Sequence, residues 1–131
     1  MIRFFAPGTP VPKGSMSAFV VGGRAIVTDQ KGARVKRWQA AIKSAAIDAG
    51  AQRIDSGPVS VVLVFGVAAP AKIPSDRRGS PSAKPDLDKL VRAALDALTG
   101  VCFRDDAQVC GLYASKRYGE LGVDVFVGAL P

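Results

Sequence analysis

Histidine is absent from the 131-residue sequence, and its absence excludes several kinds of chemistry. Ser-His and Cys-His nucleophilic catalysis are not available, and zinc would lack its usual nitrogen ligands. The only two cysteines, Cys102 and Cys110, fit no Cys-x-x-Cys metal or redox motif. We interpret both as reduced, largely structural thiols, and we expect no organic cofactor.

Long apolar runs are also missing. No stretch approaches the roughly 20 apolar residues that cross a bilayer, and the first residues lack the apolar segment of a signal peptide. We therefore expect a cytoplasmic protein without membrane association. The length and the hydrophobic content of 48% predict one domain, residues 1–131, around a single core.

Acidic residues are scarce in the first part of the chain. Residues 1–53 contain nine Lys and Arg but only two acids, so this part carries the whole net charge of +7. Residues 54–131 contain nine residues of each sign, and five of the acids lie between Asp86 and Asp106. A basic half favours a polyanionic partner, although a solvated surface explains it equally well. The concentrated acids would repel phosphates unless metal ions lay between them.

The spacing of apolar residues predicts both helices and strands. Helical periodicity predicts helices at about 33–49 and 87–98, and β-prone runs predict a hairpin at 18–27 with a Gly22-Gly23 turn. The run 58–68 is almost continuously apolar, which predicts a central strand covered on both faces. Further strands are expected at 2–5, 109–116 and 122–127. The predicted fold is α/β (α+β), with two helices packed on one mixed sheet of about four to five strands.

Residues 69–84 form a polar segment with three prolines. A loop of this length within a compact domain is usually functional or disordered. Its basic residues make it a candidate DNA-contacting segment: Lys72, Arg77, Arg78 and Lys84.

The clustered aspartates are candidate catalytic residues, yet each has a structural explanation. Asp86 stands at the N-cap of the second predicted helix and Asp88 in its first turn, where carboxylates accept N–H bonds and suit the helix dipole. Asp88, Arg92 and Asp96 follow at helical spacing, so a salt bridge from Arg92 would compensate Asp96 near the helix end. The pair Asp105-Asp106 suits a turn that opens a strand.

Taken together, the same aspartates also suit a metal site. Mg²⁺ prefers carboxylate oxygens and retains several waters, so one to three aspartates suffice. Two aspartates at a helix start could converge with a pair at the edge of the next strand. Ions held there would activate water and stabilise the leaving oxygen in phosphodiester cleavage. The residues alone leave this chemistry and the structural explanation open.

Three linked motifs with a particular spacing carry a family resemblance. They are Asp86-Leu87-Asp88-Lys89-Leu90-Val91-Arg92, Asp96-Ala97-Leu98-Thr99-Gly100 and Asp105-Asp106-Ala107-Gln108-Val109. The pattern resembles the RusA family of Holliday-junction resolvases, closely from Pro85 to Tyr118 and loosely before it. A proline-rich loop after the first strand and a lysine, Lys116, after the last motif also fit this family.

The resemblance implies a homodimer that binds four-way junctions in branched DNA and makes paired nicks with Mg²⁺ or Mn²⁺. It implies a RusA-like fold for the whole chain. Catalytic, metal-binding acids carry over to Asp86, Asp88 and Asp106, with Asp105 beside them as a further metal ligand.

Two positions depart from the family pattern. Lys89 replaces the usual asparagine, and Arg92 occupies the position of the catalytic lysine. Arginine does not release a proton near neutral pH, so we expect Arg92 to contribute to catalysis as a fixed positive charge on the phosphate.

The remaining DNA contacts are expected from basic residues: Lys13, Lys72, Arg77, Arg78, Lys84, Lys89 and Lys116. Apolar side chains left over from the core would form the dimer interface, with Phe4, Phe5, Phe19 and Trp38 as candidates.

Two other functions compete with a junction resolvase. A non-enzymatic basic DNA-binding protein would use its aspartates only for capping and pairing, and it would show no metal-dependent cleavage. A related metal-dependent nuclease would cut flaps, forks or single strands without a junction preference. The clustered acids argue against the first alternative, whereas the sequence does not separate the second from a resolvase.

Overall fold

The computed structural model of the chain describes residues 1–14, 17–28, 32–72 and 79–131. These residues form six strands and two α-helices: β1 (Ile2–Pro7), β2 (Ser17–Val21), β3 (Arg24–Thr28), α1 (Gly32–Asp48), β4 (Val59–Val67), α2 (Leu87–Leu98), β5 (Val109–Tyr118) and β6 (Gly122–Ala129). A short 3-10 turn, Asp106–Gln108, leads into β5. No helix in the described ranges is both long enough and apolar enough to span a membrane.

Four of the strands form one mixed sheet in the order β1-β6-β4-β5. β6 is antiparallel to both β1 and β4, whereas β4 and β5 are parallel. A parallel pair needs a long crossover connection, and α2 provides it. β2 and β3 form a separate antiparallel hairpin whose turn residues, Gly22 and Gly23, have φ values of 57° and 79°. Positive φ at both positions is what a tight two-residue hairpin turn requires.

The two helices pack on one face of the sheet and form the core with it. Their buried side chains join those of β1, β4 and β6 in a single hydrophobic cluster. The predicted fold of two helices on a mixed sheet of about four to five strands is therefore confirmed, with four strands in the sheet. The predicted helix at 87–98 corresponds to α2, and the predicted helix at 33–49 corresponds to α1.

The prediction that the central strand is covered on both faces is wrong. In β4, Val61, Leu63 and Phe65 are fully buried, but the intervening Val62 and Val64 are only half-buried. β4 is central because β5 and β6 flank it, while the described helices cover just one of its faces.

The predicted dimer surface is also partly wrong. Phe4 and Trp38 are 7% and 4% exposed and belong to the core, because β1 and α1 both turn these side chains towards the helix-covered side of the sheet. Phe5 is half-buried, and the side chain of Phe19 lies outside the described residues.

The structural interpretation of the thiols holds for Cys102, which is buried in the core, whereas Cys110 is exposed on β5.

Candidate active site

Asp86 lies directly before α2 with its carboxylate open to solvent. Its backbone is extended, and its side chain makes no capping hydrogen bond to the helix. The carboxylate is 45% exposed, and Lys89 Nζ lies 3.4 Å from its Oδ2 atom. Asp88, in the first turn of α2, is exposed. The capping explanation for Asp86 is therefore wrong, and its oxygens are accessible to a ligand.

Lys116 holds the segment that leads into Asp86. Its Nζ donates hydrogen bonds to the carbonyl oxygens of Ala83, at 2.8 Å, and Pro85, at 2.9 Å. Two of the three ammonium donors are thus used within the protein. Lys116, which was predicted to bind DNA, ties β5 to the start of α2.

Arg92 and Asp96 do not pair with each other. Asp96 instead forms an ion pair with Lys13 from the proline-rich segment after β1, and the Lys13 backbone N–H donates to the carbonyl of Lys89 at 3.1 Å. Lys13 thereby provides the compensation that a carboxylate near a helix C-terminus requires. Arg92 is exposed and makes no ion pair with any described residue.

Asp105 and Gln108 form a capping box around the 3-10 turn. Asp105 Oδ1 accepts a bond from the Ala107 N–H at 2.9 Å, and Gln108 Oε1 accepts one from the Asp105 N–H at 2.9 Å. The amide nitrogen of Gln108 also donates to the carbonyls of Ile54 and Gly57, each at 3.1 Å. Asp105 therefore acts as a cap, while Asp106 projects from the turn and is exposed.

The two acidic groups lie at opposite ends of the crossover unit. α2 runs antiparallel to β5, because Lys116 near the end of β5 bonds to Pro85 at the start of α2. From Val109 to Lys116, β5 extends about 23 Å at about 3.3 Å per residue. In the described ranges, no three or more His, Cys, Asp or Glu side chains lie close enough to hold a metal ion. One chain thus has Asp86 and Asp88 at the start of α2 and Asp106 at the far end of the crossover unit.

Basic residues surround the Asp86 end of α2. An open hollow is lined there by three cations, Arg34, Lys84 and Lys89, and by Asp86. Sequence reasoning missed Arg34, whose position at the start of α1 gives no sign that it faces the start of α2. Lys72 is exposed, and the predicted contacts Arg77 and Arg78 lie outside the described residues.

The donor set at this site suits a hard divalent cation. Asp86 and Asp88 offer carboxylate oxygens that no described backbone N–H occupies, and Mg²⁺ retains several waters, so two carboxylates are enough to hold one. Among the described residues, the Lys89 ammonium beside Asp86 competes with such an ion. Asp105 fits less well, since its Oδ1 atom is already bonded to the backbone.

Comparison with known proteins identifies the family. The family model described as "Endodeoxyribonuclease RusA" matches residues 7–128 of the chain. A protein of Bacillus subtilis strain 168, described as "Uncharacterized protein YqaN", is 27% identical over 128 residues, which cover 91% of this chain and 89% of the relative. The family match spans all three aspartate-containing motifs and nearly every element of the fold. The chain therefore belongs to the RusA family of endodeoxyribonucleases.

Proposed function

We propose that the protein is a Mg²⁺-dependent endodeoxyribonuclease, also active with Mn²⁺, that resolves Holliday junctions and other branched DNA by paired nicks as a homodimer. The observation that carries this proposal is the open pair of carboxylates, Asp86 and Asp88, beside a basic hollow in a chain of this family. Acids beside cations suit a site that must accept a phosphodiester together with a metal ion.

The aspartates have different roles in this proposal. Asp86 and Asp88 would hold the ion, and Asp106 would supply a third carboxylate. A bound divalent ion would activate water and stabilise the leaving oxygen. Asp105 supports Asp106 by capping the 3-10 turn, so its contribution as a ligand is secondary.

The cations divide into those that face solvent and those that bond the protein. Arg92 contributes fixed charge at the scissile phosphate, and Arg34, Lys84 and Lys89 bind the DNA backbone around the hollow. Lys13 and Lys116 already bond protein groups, which supports a positioning role near the site for both. Lys72, Arg77 and Arg78 remain predicted DNA contacts.

The test of the activity is one cleavage assay on three substrates. A mobile four-way junction, a replication fork and a linear duplex of matched sequence are incubated with and without Mg²⁺ or Mn²⁺. We expect paired nicks in the junction that require the ion. Equal cutting of fork and junction would replace the resolvase with a nuclease for flaps and forks, and binding without cleavage would indicate a non-enzymatic DNA-binding protein.

The site is tested by isosteric removal of single charges. Asp86→Asn, Asp88→Asn and Asp106→Asn should each abolish cleavage but leave DNA binding intact or tighter, because each removes a metal ligand and also reduces repulsion of phosphate. Asp48→Asn, an exposed aspartate at the end of α1, is the matched control. Near wild-type cutting by any of the three variants would remove that residue from the site. Asp105→Asn should keep much of the activity, since asparagine is also a good cap.

A further inference from the structure

A mostly apolar pocket lies next to the basic hollow at the start of α2. Its volume is about 250 Å³, which is smaller than the roughly 300–1,000 Å³ of pockets for drug-sized ligands. Its size therefore suits one planar ring system. We call it the apolar pocket, and its walls are formed mainly by prolines, a valine and a tyrosine: Pro10, Val67, Pro70, Pro81, Pro85 and Tyr118.

Much of the wall of the apolar pocket is held in place by bonds within the protein. Val67 and Tyr118 are paired neighbours at the ends of β4 and β5, and Val67 is buried. Lys116 Nζ fixes the segment before α2 through its bonds to the carbonyl oxygens of Ala83 and Pro85, two further wall residues. A pocket whose walls are ordered in advance loses less conformational entropy when a ligand enters.

The apolar pocket and the basic hollow share part of their lining. Four residues contribute to both: Thr9, Pro10, Lys84 and Pro85. The two cavities are therefore adjacent, and Asp86 lines one of them while Tyr118 lines the other. A nucleotide has the same two parts, a charged phosphate and a planar base with apolar faces, joined by one sugar.

The lining of the apolar pocket suits a neutral planar group rather than a second phosphate. Among the described residues of this lining, Lys84 alone is charged, and it also lines the basic hollow. Tyr118 is half-buried at the end of β5. Aromatic side chains are the usual platforms on which unstacked bases rest, because every base has a π face.

We propose that the apolar pocket binds one unstacked nucleobase of the strand that is cut, next to the phosphate at the basic hollow, with the ring of Tyr118 stacked on the base. This inference rests on the proposed function, which brings a phosphodiester to Asp86. Since the lining is mostly apolar, the pocket distinguishes bases by size and stacking more than by hydrogen bonds. Tyr118 then influences where a strand is cut.

The apolar pocket would also favour branched DNA over a continuous duplex. A base enters the pocket only after it has left its stack and its pairing partner, and both steps cost free energy. At a branch point the stacking of base pairs is interrupted, so this cost is lower there than within a linear duplex. Binding of one base in the pocket therefore directs phosphates at the branch to the basic hollow.

Single mismatches test whether a base leaves its stack. The nick made by the wild type with Mg²⁺ is first mapped in a junction with a fixed branch point. Binding is then measured without divalent ions for junctions that carry one mismatch, either directly beside the mapped nick or several base pairs away. We expect a mismatch on one side of the nick to tighten binding about 10-fold, because the base no longer has to be unpaired before it enters the pocket. The distant mismatch should have no effect.

Variants of the wall assign this effect to the apolar pocket. Tyr118→Leu should reduce the gain from the mismatch because it removes the stacking ring, and Ala83→Trp should abolish it because it fills the pocket. Tyr118→Phe keeps the ring and should retain the gain. Ser82→Trp adds the same bulk at an exposed neighbour outside the lining and should also retain it. Circular dichroism checks that all four variants fold.

The outcomes separate the apolar pocket from the nuclease activity. Equal binding of matched and mismatched junctions by an active wild-type protein would overturn the base-binding site and leave the proposed function standing. A gain that persists in both Tyr118→Leu and Ala83→Trp would mean that the unstacked base binds elsewhere, which also overturns the site. A wild-type protein that makes no nick in the junction would overturn the proposed function itself, and the base-binding site with it.

Discussion

Among single residues, Arg92 differs from three of the cations near α2: Lys13, Lys89 and Lys116. Lys13 and Lys116 bond groups of the protein, and Lys89 lies beside Asp86. Arg92 is exposed and makes no ion pair with the residues that the structure describes. Arg92 therefore does not pair with an acid on the helix surface among the described residues, which favours a role in binding DNA.

We expect Arg92→Ala to lower kcat by about 10²–10³-fold, the usual effect of losing one donor to a transition state. Arg92→Lys should keep appreciable activity, because a lysine also supplies positive charge. Arg53→Ala, which removes an exposed arginine paired with Asp55, is the control. Unchanged turnover in Arg92→Ala would assign the residue to the solvated surface.

The buried thiol of Cys102 makes the free energy of unfolding depend on pH in the alkaline range. Burial raises the pKa of its thiol from the ordinary 9.0 to about 11. The folded state therefore keeps its proton to higher pH than the unfolded chain does. The protonated thiol therefore makes its full contribution to the free energy of unfolding below pH 9. That contribution decreases by about 1.4 kcal/mol per pH unit as the pH rises from 9 towards 11.

Cys102→Ala should remove this dependence. Between pH 8 and pH 10.5 we expect the wild type to lose about 2 kcal/mol more stability than the variant does in urea unfolding. Cys110→Ala changes an exposed thiol and should follow the wild type. Parallel curves for the wild type and Cys102→Ala would mean that the buried thiol titrates at its ordinary pKa.

Among the elements, the 3-10 turn before β5 explains why a glutamine, Gln108, belongs to the motif that begins with Asp105 and Asp106. Gln108 bonds the turn on one side and the carbonyls of Ile54 and Gly57 on the other. We expect Gln108→Ala to cost about 1–2 kcal/mol of stability, because it leaves several backbone groups without partners. The substitution should also lower kcat by a larger factor than it changes KM, because Asp106 loses its fixed position. A loss of stability with unchanged kcat would restrict Gln108 to folding.

Local patterns predicted the elements well but not the contacts between them. α2 is identified by its 3.6-residue periodicity, and the hairpin by its two glycines, because both signals act over a few residues. The pairing of Lys13 with Asp96 joins residues 83 positions apart, and no local signal reports it. The direction of α2 relative to β5 depends on β4 and β5 being parallel neighbours. The sequence does not show this pairing, so from the sequence alone the acids at 86–88 and at 105–106 could be expected to converge within one chain.

Across the whole molecule, the basic half lies against the acidic motif. The segment after β1 bonds α2 through Lys13, and Arg34 at the start of α1 shares a hollow with Asp86. Two cations of the basic half therefore lie close to α2 or to the residue before it. A phosphate backbone that enters the hollow would meet cations on either side of the open carboxylates.

DNA binding should consequently weaken steeply with salt, since each phosphate that a cation neutralises releases counterions. Binding is measured without divalent ions, with the inactive Asp88→Asn protein as the background. Arg34→Ala in that background should lower the slope of log K against log salt by about 1, and Lys43→Ala, on the same helix but outside the hollow, should leave it unchanged. Equal slopes for both variants would mean that the DNA does not enter the hollow. The excess of positive charge would then attract DNA to the protein without directing it to the aspartates.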